Sequence, residues 1–324
     1  MKINIDKNSD LVIAADIGGT NIRVALVDLS GKILDKTKVE YNPSIGIENA
    51  GDLISELILK LSQKKTIRGM GYSSAGPLDQ ITGKYINPPN LTGWHDKSLI
   101  PFIERNLGIV SKVGHDATLA ALAETKFGEF KGSKNIVYLT VSTGVGAGMI
   151  SNGNMIQGHN WFAGEVGHII INPNGHSCSL GCPGCLEGNV SGTAIASIAK
   201  LKFQKHKNKI LNNYSDNEIN SKLVFDLAEE GDLLSKEILF DVIENLGRGL
   251  ASLLAVLNPE MIILGGSVAE AINNNYSDDL VKSVSKYCIE FYKNSPPIRM
   301  TKLGEDASIL GASIIAQDQS SISG

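Results

Sequence analysis

Leu11-Val-Ile-Ala-Ala-Asp16-Ile-Gly18-Gly19-Thr20-Asn21-Ile-Arg23-Val-Ala-Leu-Val27 decides the reading of this chain. Two apolar, β-branched runs flank a Gly-Gly-Thr-Asn turn, and one carboxylate, Asp16, stands in otherwise apolar sequence just before it. The pattern predicts a hairpin, because β-branched residues favour strands and paired glycines let the backbone turn tightly. The glycines also let main-chain N–H groups approach a ligand, and Thr20 and Asn21 add side-chain donors suited to phosphate oxygens. A carboxylate beside a phosphate cradle is repulsive unless a cation lies between them. Asp16 therefore points to Mg²⁺, directly or through water.

Asn135-Ile-Val-Tyr-Leu-Thr-Val141-Ser142-Thr143-Gly144-Val-Gly146-Ala-Gly148-Met-Ile150 repeats the scheme of strand, hydroxyl- and glycine-rich turn, and strand. Each hairpin is followed by another tight turn, Ser30-Gly31-Lys32 and Asn152-Gly153-Asn154. This weak internal duplication offers two amide-rich turns, a pair able to grip a nucleoside triphosphate tail from both sides. Single-loop alternatives fail. No G-x-x-x-x-G-K-[ST] occurs, and the second glycine cluster leads into a strand, not the helix that a dinucleotide fingerprint requires.

The chain around these hairpins alternates strands and helices, an α/β pattern. Apolar spacing predicts a helix over 48–64, a strand over 69–72, a helix over 99–107 and a strand over 109–113. That strand delivers Gly114-His115-Asp116 to a helix over 117–127. Between them, Ser73-Ser74-Ala75-Gly76-Pro77 and Asn87-Pro88-Pro89-Asn90-Leu91-Thr92-Gly93-Trp94 read as loops, the second rigid and polar enough to face a ligand. The second half is largely helical from 191 to 257, with a polar interruption over 207–220. A short strand over 261–264 then runs into Gly265-Gly266, and an amphipathic helix closes the chain over 304–316. No linker separates the halves, so the domain boundary is a chain crossing near residue 120.

At 324 residues, 42% hydrophobic and 20% charged, the composition suits two soluble globular domains. A net charge of −4 offers no basic stripe for nucleic acid. The polar first ten residues lack a secretory core, and the apolar run over 250–257 is too short to span a bilayer. The expectation is a cytoplasmic protein with neither nucleic acid nor membrane as partner.

Three of the four cysteines, Cys178, Cys182 and Cys185, fall within eight residues. In a cytosolic chain such a C-x₃-C-x₂-C cluster suits a metal knuckle better than disulfides. His168 supplies the fourth ligand of a structural Cys₃His zinc site. Cys288 reads as a small buried hydrophobe, and His159 and His176 as ordinary hydrogen-bonded residues. Zinc on one imidazole nitrogen fixes the other, so the knuckle can aim His168, Glu165 and Glu187 at one spot, a set that suits a polyol. Asp116 can equally be a helix cap; beyond the carboxyl end of a strand it is also placed to take a proton from an attacking hydroxyl.

Together these residues resemble the ROK family of repressors, open reading frames and sugar kinases, within the actin, hexokinase and heat-shock ATPase superfamily. Asp16-Ile-Gly18-Gly19-Thr20-Asn21 is similar to its first phosphate motif, Ser142-Thr143-Gly144-Val-Gly146 to its second, and Leu264-Gly265-Gly266 to its adenosine-side motif. Gly164-Glu165-Val-Gly167-His168 and Cys178…Gly184-Cys185-Leu186-Glu187 resemble the family signature. The resemblance implies two RNase H-like domains, 1–120 completed by a C-terminal helix at 304–324 and 121–303, with ATP and sugar in a central cleft. It implies nucleotide contacts at Asp16, Gly18, Gly19, Thr20, Asn21, Thr143, Gly144, Gly265 and Gly266. It implies sugar contacts at Gly76, Asn90, His115, Asp116, Glu165, His168 and Glu187, with Asp116 as catalytic base.

The expected activity is therefore ATP-dependent phosphorylation of a hexose, glucose foremost, with fructose or an N-acetylhexosamine as alternative acceptors and a homodimer or homotetramer as the assembly. Family repressors carry an N-terminal helix-turn-helix, for which the ten residues before the first strand leave no room. Two departures stand out. His115-Asp116 replaces the usual Asn-Asp. The usual C-x-C-G-x-x-G-C has Leu180 at its middle thiol, so Cys182 must substitute.

Overall fold

The computed structural model describes residues 2–63, 65–88, 90–206, 210 and 213–317. In chain order the first elements are β1 (Asn4–Ile5), β2 (Leu11–Ile17), β3 (Asn21–Asp28), β4 (Ile33–Glu40) and α1 (Ile47–Leu61). There follow β5 (Thr66–Ile67), β6 (Met70–Ser74), α2 (Ile100–Leu107), β7 (Ser111–His115) and α3 (Asp116–Lys126). The second hairpin supplies β8 (Ile136–Val141), β9 (Val145–Ser151) and β10 (Asn154–Met155). Helices α4 (Leu186–Val190), α5 (Gly192–Lys205), α6 (Ser221–Glu229) and α7 (Leu233–Leu257) precede β11 (Met261–Gly265). The chain closes with α8 (Ser267–Tyr287), β12 (Ile298–Met300) and α9 (Ala307–Gln317). Two compact units result, Met1–Lys134 with Gly148–Ala163 and Lys302–Gly324, and Asn135–Ala147 with Gly164–Thr301.

The first unit is built on a sheet of order β4-β3-β2-β6-β7. β2, β3 and β4 pair antiparallel, as the first hairpin demands, whereas β6 and β7 run parallel to β2 after helical crossovers. Both faces are covered, which is why β2 is buried almost throughout. Ile13, Ile17, Ile22, Val24 and Tyr72 share a core with Ile54 and Ile58 of α1 and Ile103 and Leu107 of α2. Val12, Ala14, Ala25 and Val27 look the other way, onto Leu119 and Ala123 of α3 and Ile309, Leu310 and Ala312 of α9. Tyr85 and Trp94 stack edge-on at 5.2 Å beneath the loop that carries Asn90.

Two expectations change here. The chain enters the second unit at Lys134/Asn135, not near residue 120, because Leu119 and Ala123 bind α3 to the core of the first sheet. The closing helix is not amphipathic. α9 is buried at Ala307, Ile309, Leu310, Gly311, Ala312, Ser313 and Ala316, since the sheet lies on one side and α3 on the other. Gly71 and Gly311 permit that approach: a Cβ on the first would collide with the Ala312 carbonyl, and on the second with the Leu119 carbonyl.

The second sheet has order β10-β9-β8-β11-β12, with β11 parallel to both β8 and β12. The long α7 starts on an Asp232 cap that accepts the Ser235 N–H and stops at Asn258, whose left-handed backbone (φ 41°) ends the helix. α6 likewise begins on an Asn220 cap. Of the polar interruption expected over 207–220, residues 207–209, 211 and 212 lie outside the described residues. Among the described residues no helix is long and apolar enough to cross a membrane.

Candidate active site and metal centre

In the first unit, the β2–β3 turn presents Gly18, Gly19 and Thr20. Neither glycine adopts left-handed backbone; that conformation falls instead at Gly31 and Gly153, in the tight turns that follow each hairpin. Gly19 is needed for proximity, because a Cβ there would sit 2.9 Å from the Asn90 carbonyl oxygen. The turn is braced rather than loose. Tyr41 donates its hydroxyl to the Gly18 carbonyl at 2.7 Å and its N–H to the Thr20 carbonyl at 2.9 Å. Asn21 Nδ2 donates to Thr20 Oγ1 at 2.9 Å, so those two side chains form one polar tip, exposed at Thr20. Burial, and then the Asp16 charge, push the Tyr41 phenol well above its usual range, so it stays a donor.

Asp16 already meets a cation within the chain. Arg23, opposite it in the hairpin register, donates to Oδ2 from Nη2 at 2.7 Å and Nε at 3.1 Å, while the Ser73 hydroxyl donates to Oδ1. The chain thus sets a cation of its own against this carboxylate.

At the end of β7 the strand hands over to α3. His115 Nε2 lies 3.4 Å from Asp116 Oδ1, and a Cβ on Gly76 would approach the His115 ring to 2.9 Å. Gly76, His115 and Asp116 therefore form one group, with Asn90 and Gly19 as a second. Asp116 Oδ1 also accepts the Ala117 N–H at 2.6 Å, a cap-like bond that does not exclude chemistry, as the side chain keeps 37% of its surface exposed. Desolvation pushes its carboxyl above the usual range; His115 opposes this, Asp16 adds to it, and the Ala117 N–H and Arg23 oppose it.

In the second unit, the Ser142–Gly144 turn closes by a Ser142 N–H bond to the Gly144 carbonyl at 2.9 Å. It is pinned by two helix starts. Gly192 N–H and Thr193 Oγ1, at the head of α5, donate to the Ser142 and Thr143 carbonyls at 2.7 and 2.9 Å. Ser267, the first residue of α8, shares a 3.1 Å hydroxyl contact with Ser142. Helix N-termini carry partial positive charge, so this convergence suits an anion. Gly266, left-handed at φ 90°, sets up α8, whereas Gly265 is a packing glycine whose Cβ would strike the Tyr138 hydroxyl.

Glu187 reaches the same turn, its Oε2 accepting the Val145 N–H at 2.9 Å. Glu165 opens a 3-10 turn, Val166–His168, and its Oε2 lies 3.7 Å from His168 Nε2. The other face of that ring, Nδ1, lies 3.7 Å from Cys178 Sγ. One imidazole thus looks to the thiols and to a carboxylate at once.

The ligand atoms of His168, Cys178 and Cys182 all lie within 4.8 Å of one another. Cys185 stands a step outside that trio: buried, it accepts the Gly188 N–H at 3.4 Å as the cap of α4 and keeps its thiol within reach of Cys178. A sulfur that accepts a main-chain N–H suits a thiolate on a metal, and the donor set fits a tetrahedral soft-ligand cation. Asn189 laces the knuckle, donating to the Cys185 carbonyl at 2.7 Å and the His176 carbonyl at 3.1 Å.

With this geometry in place, the ROK family pattern matches residues 12–319. The chain belongs to the ROK family. A glucokinase from Thermotoga maritima is 31% identical over 310 residues, covering 95% of this chain and 98% of that protein. A ROK family glucokinase from Streptomyces griseus, solved in complex with glucose and AMPPNP, superposes with a TM-score of 0.80 at 29% identity, covering 95% and 99% of the two chains. A xylose repressor from Caldicellulosiruptor bescii is 29% identical, covering 95% of this chain and 78% of the repressor. The two-sheet α/β architecture is the actin-like ATPase fold of ROK kinases.

Arg23, Ser73, Tyr41, Thr193, Ser267 and Asn189 escaped the sequence reading of this ROK chain. Arg23 alone had a signal: a turn centred on Gly19–Thr20 places residues 16 and 23 opposite each other, and an Asp–Arg cross-strand pair follows.

Proposed function

We propose that this ROK protein transfers the γ-phosphoryl group of ATP to glucose, forming glucose 6-phosphate. The observation that carries the reading is Asp116. Its carboxylate stands at a strand end with a raised proton affinity and an exposed edge, beside a histidine whose ring packs close against Gly76. A sugar hydroxyl is a weak nucleophile until a base takes its proton during in-line attack, and Asp116 is that base.

In the first unit, the Gly18–Asn21 turn offers main-chain and side-chain donors to phosphate, and Gly76, Asn90 and His115 border the acceptor. In the second, Thr143 and Gly144 serve phosphate, Gly265 and Gly266 the adenosine side, and Glu165, His168 and Glu187 the sugar hydroxyls. Mg²⁺ arriving with ATP offsets charge on the transferring group, with Asp16 meeting it through water. His168, Cys178, Cys182 and Cys185 hold zinc, which fixes the direction of the imidazole and of the turn before Glu187. The working form is cytoplasmic, a homodimer or homotetramer.

A panel of hexoses and phosphoryl donors, assayed by coupled detection of ADP, tests the reading. Turnover is expected with ATP and glucose, ahead of fructose, N-acetylglucosamine and N-acetylmannosamine by kcat/KM. Sugar binding with no turnover on any pair overturns it in favour of the regulatory role that the repressor relative carries.

A further inference from the structure

Arg23 is more deeply engaged than a surface ion pair. Its guanidinium makes both bonds to Asp16 Oδ2, and Nη1 donates to the Glu305 carbonyl at 2.7 Å and to Glu305 Oε2 at 3.2 Å. Arg23 keeps 16% of its side-chain surface and Asp16 12%. Asp16 is thereby held by β3 through Arg23 and by β6 through the Ser73 hydroxyl, and Arg23 is itself tied to Glu305 in the turn ahead of α9. Such a fork cannot be mimicked by a point charge, since a planar guanidinium presents several donors at fixed angles.

What Arg23 does there follows from its neighbours. Asp16 on β2 pairs in register with Ser73 of β6, and Ser73 with Gly114 of β7, so Asp16 and Arg23 lie at the end of the sheet where β7 hands over to Asp116. His115 from β7 and the Ala117 N–H of α3 touch Asp116 directly; the Asp16 charge from β2 raises its proton affinity and the Arg23 charge from β3 lowers it, with Glu305 joined through Arg23. An incoming triphosphate adds further negative charge.

We propose that Arg23 is a positioning residue for phosphoryl transfer: threaded between Asp16 and Glu305, its guanidinium fixes the Asp16 carboxylate at one angle and offsets its charge beside Asp116. This rests on the kinase reading above. A competing role as a plain staple between the hairpin and the turn before α9 predicts lost thermal stability and nothing else.

The test is kinetics of Arg23→Met and Arg23→Lys over about pH 5 to 9, with calorimetric titration of MgADP and thermal melts. Arg23→Met is expected to lower kcat by roughly tenfold to a hundredfold, the scale of a misplaced reacting group, with glucose KM within about threefold. Its acid limb moves to higher pH, because Asp116 loses a positive neighbour and binds its proton more tightly. MgADP affinity falls roughly tenfold as the Asp16 carboxylate loses its fixed angle, and Arg23→Lys recovers part of each loss. An unmoved acid limb with unchanged MgADP affinity overturns the proposal, as does a Lys variant no better than Met. Should Arg23→Met not fold, Arg23→Lys and Glu305→Gln carry the same readouts, and unshifted profiles in both overturn it. Wild-type protein that neither binds MgADP nor turns over a hexose sinks the kinase reading and this inference together; an active wild type with unshifted variants sinks this inference alone.

Discussion

Val145 gives its N–H to the Glu187 carboxylate at 2.9 Å, and Gly144 beside it leaves room for that carboxylate only because it has no Cβ. The turn expected to serve phosphate and a residue expected to serve sugar are thus one hydrogen-bonded piece. Glu187→Ala leaves the Val145 N–H without its acceptor, a loss of about 1–3 kcal/mol for a buried group. KM is expected to rise for ATP as well as for glucose, with Glu187→Gln intermediate because its amide oxygen still accepts. An ATP KM unmoved in the Ala variant confines Glu187 to the sugar.

Asp116→Asn removes the base while keeping the shape. Loss of a general base lowers kcat by about 10²–10⁴, and glucose binding should stay within several-fold by calorimetry. In the wild type, activity falls as pH drops through the raised proton affinity of Asp116, so the acid limb lies above the ordinary aspartate range. Stability has the opposite sense. A carboxyl whose folded proton affinity is raised supports the fold at low pH and loses that support as pH rises through the folded value. Asp116→Asn should therefore melt at or above wild type near neutral pH, with the difference fading in acid. A marked drop in melting temperature near neutral pH assigns the residue to helix capping instead.

Zinc content reports on the relocated thiol. Cys182→Ser is expected to lower bound zinc well below about one per chain by elemental analysis, and to raise glucose KM as His168 loses its fixed direction. Leu180 is 57% exposed, so placing a thiol there removes little packing. The double variant Cys182→Ser with Leu180→Cys should regain zinc. Retention of full zinc by Cys182→Ser alone sinks the proposed ligand set.

His115 and Gly76 should behave as a coupled pair. A methyl at residue 76 presses on the imidazole, so Gly76→Ala raises glucose KM in the wild type and less in a His115→Asn background. Coupling of about 0.5–3 kcal/mol in a double-mutant cycle on kcat/KM is the expected scale for touching residues. Strict additivity would show that the two act independently.

Much of this was readable in advance because the signals were local. The strands around Asp16, the Ser142 turn and the helix after Asp116 announce themselves by β-branched runs, glycines and apolar spacing, and each lies within a residue or three of its expected ends. The knuckle announced itself through three thiols. What stayed hidden depended on contacts between distant segments. Nothing around Ser73 says that it hydrogen-bonds Asp16, and Ser267 gives no hint that it meets Ser142. Gly19 was read through backbone freedom and Gly265 as part of a motif, whereas one makes room for Asn90 and the other for Tyr138. The closing helix misled for a related reason: small and apolar residues on every side mark a helix packed on more than one face, here between the sheet and α3.

That enclosed helix sets a constraint on how the molecule comes into being. One face of the sheet bearing Asp16 is roofed by α9, which follows the second unit in the chain, with Gly71 against Ala312 and Leu119 against Gly311. During synthesis this sheet waits, that face covered by α3 alone, until the whole second unit has been translated and α9 emerges. Contacts so distant along the chain slow folding and leave partly built species prone to aggregate. On the ribosome, the unit that starts first is therefore the one that finishes last.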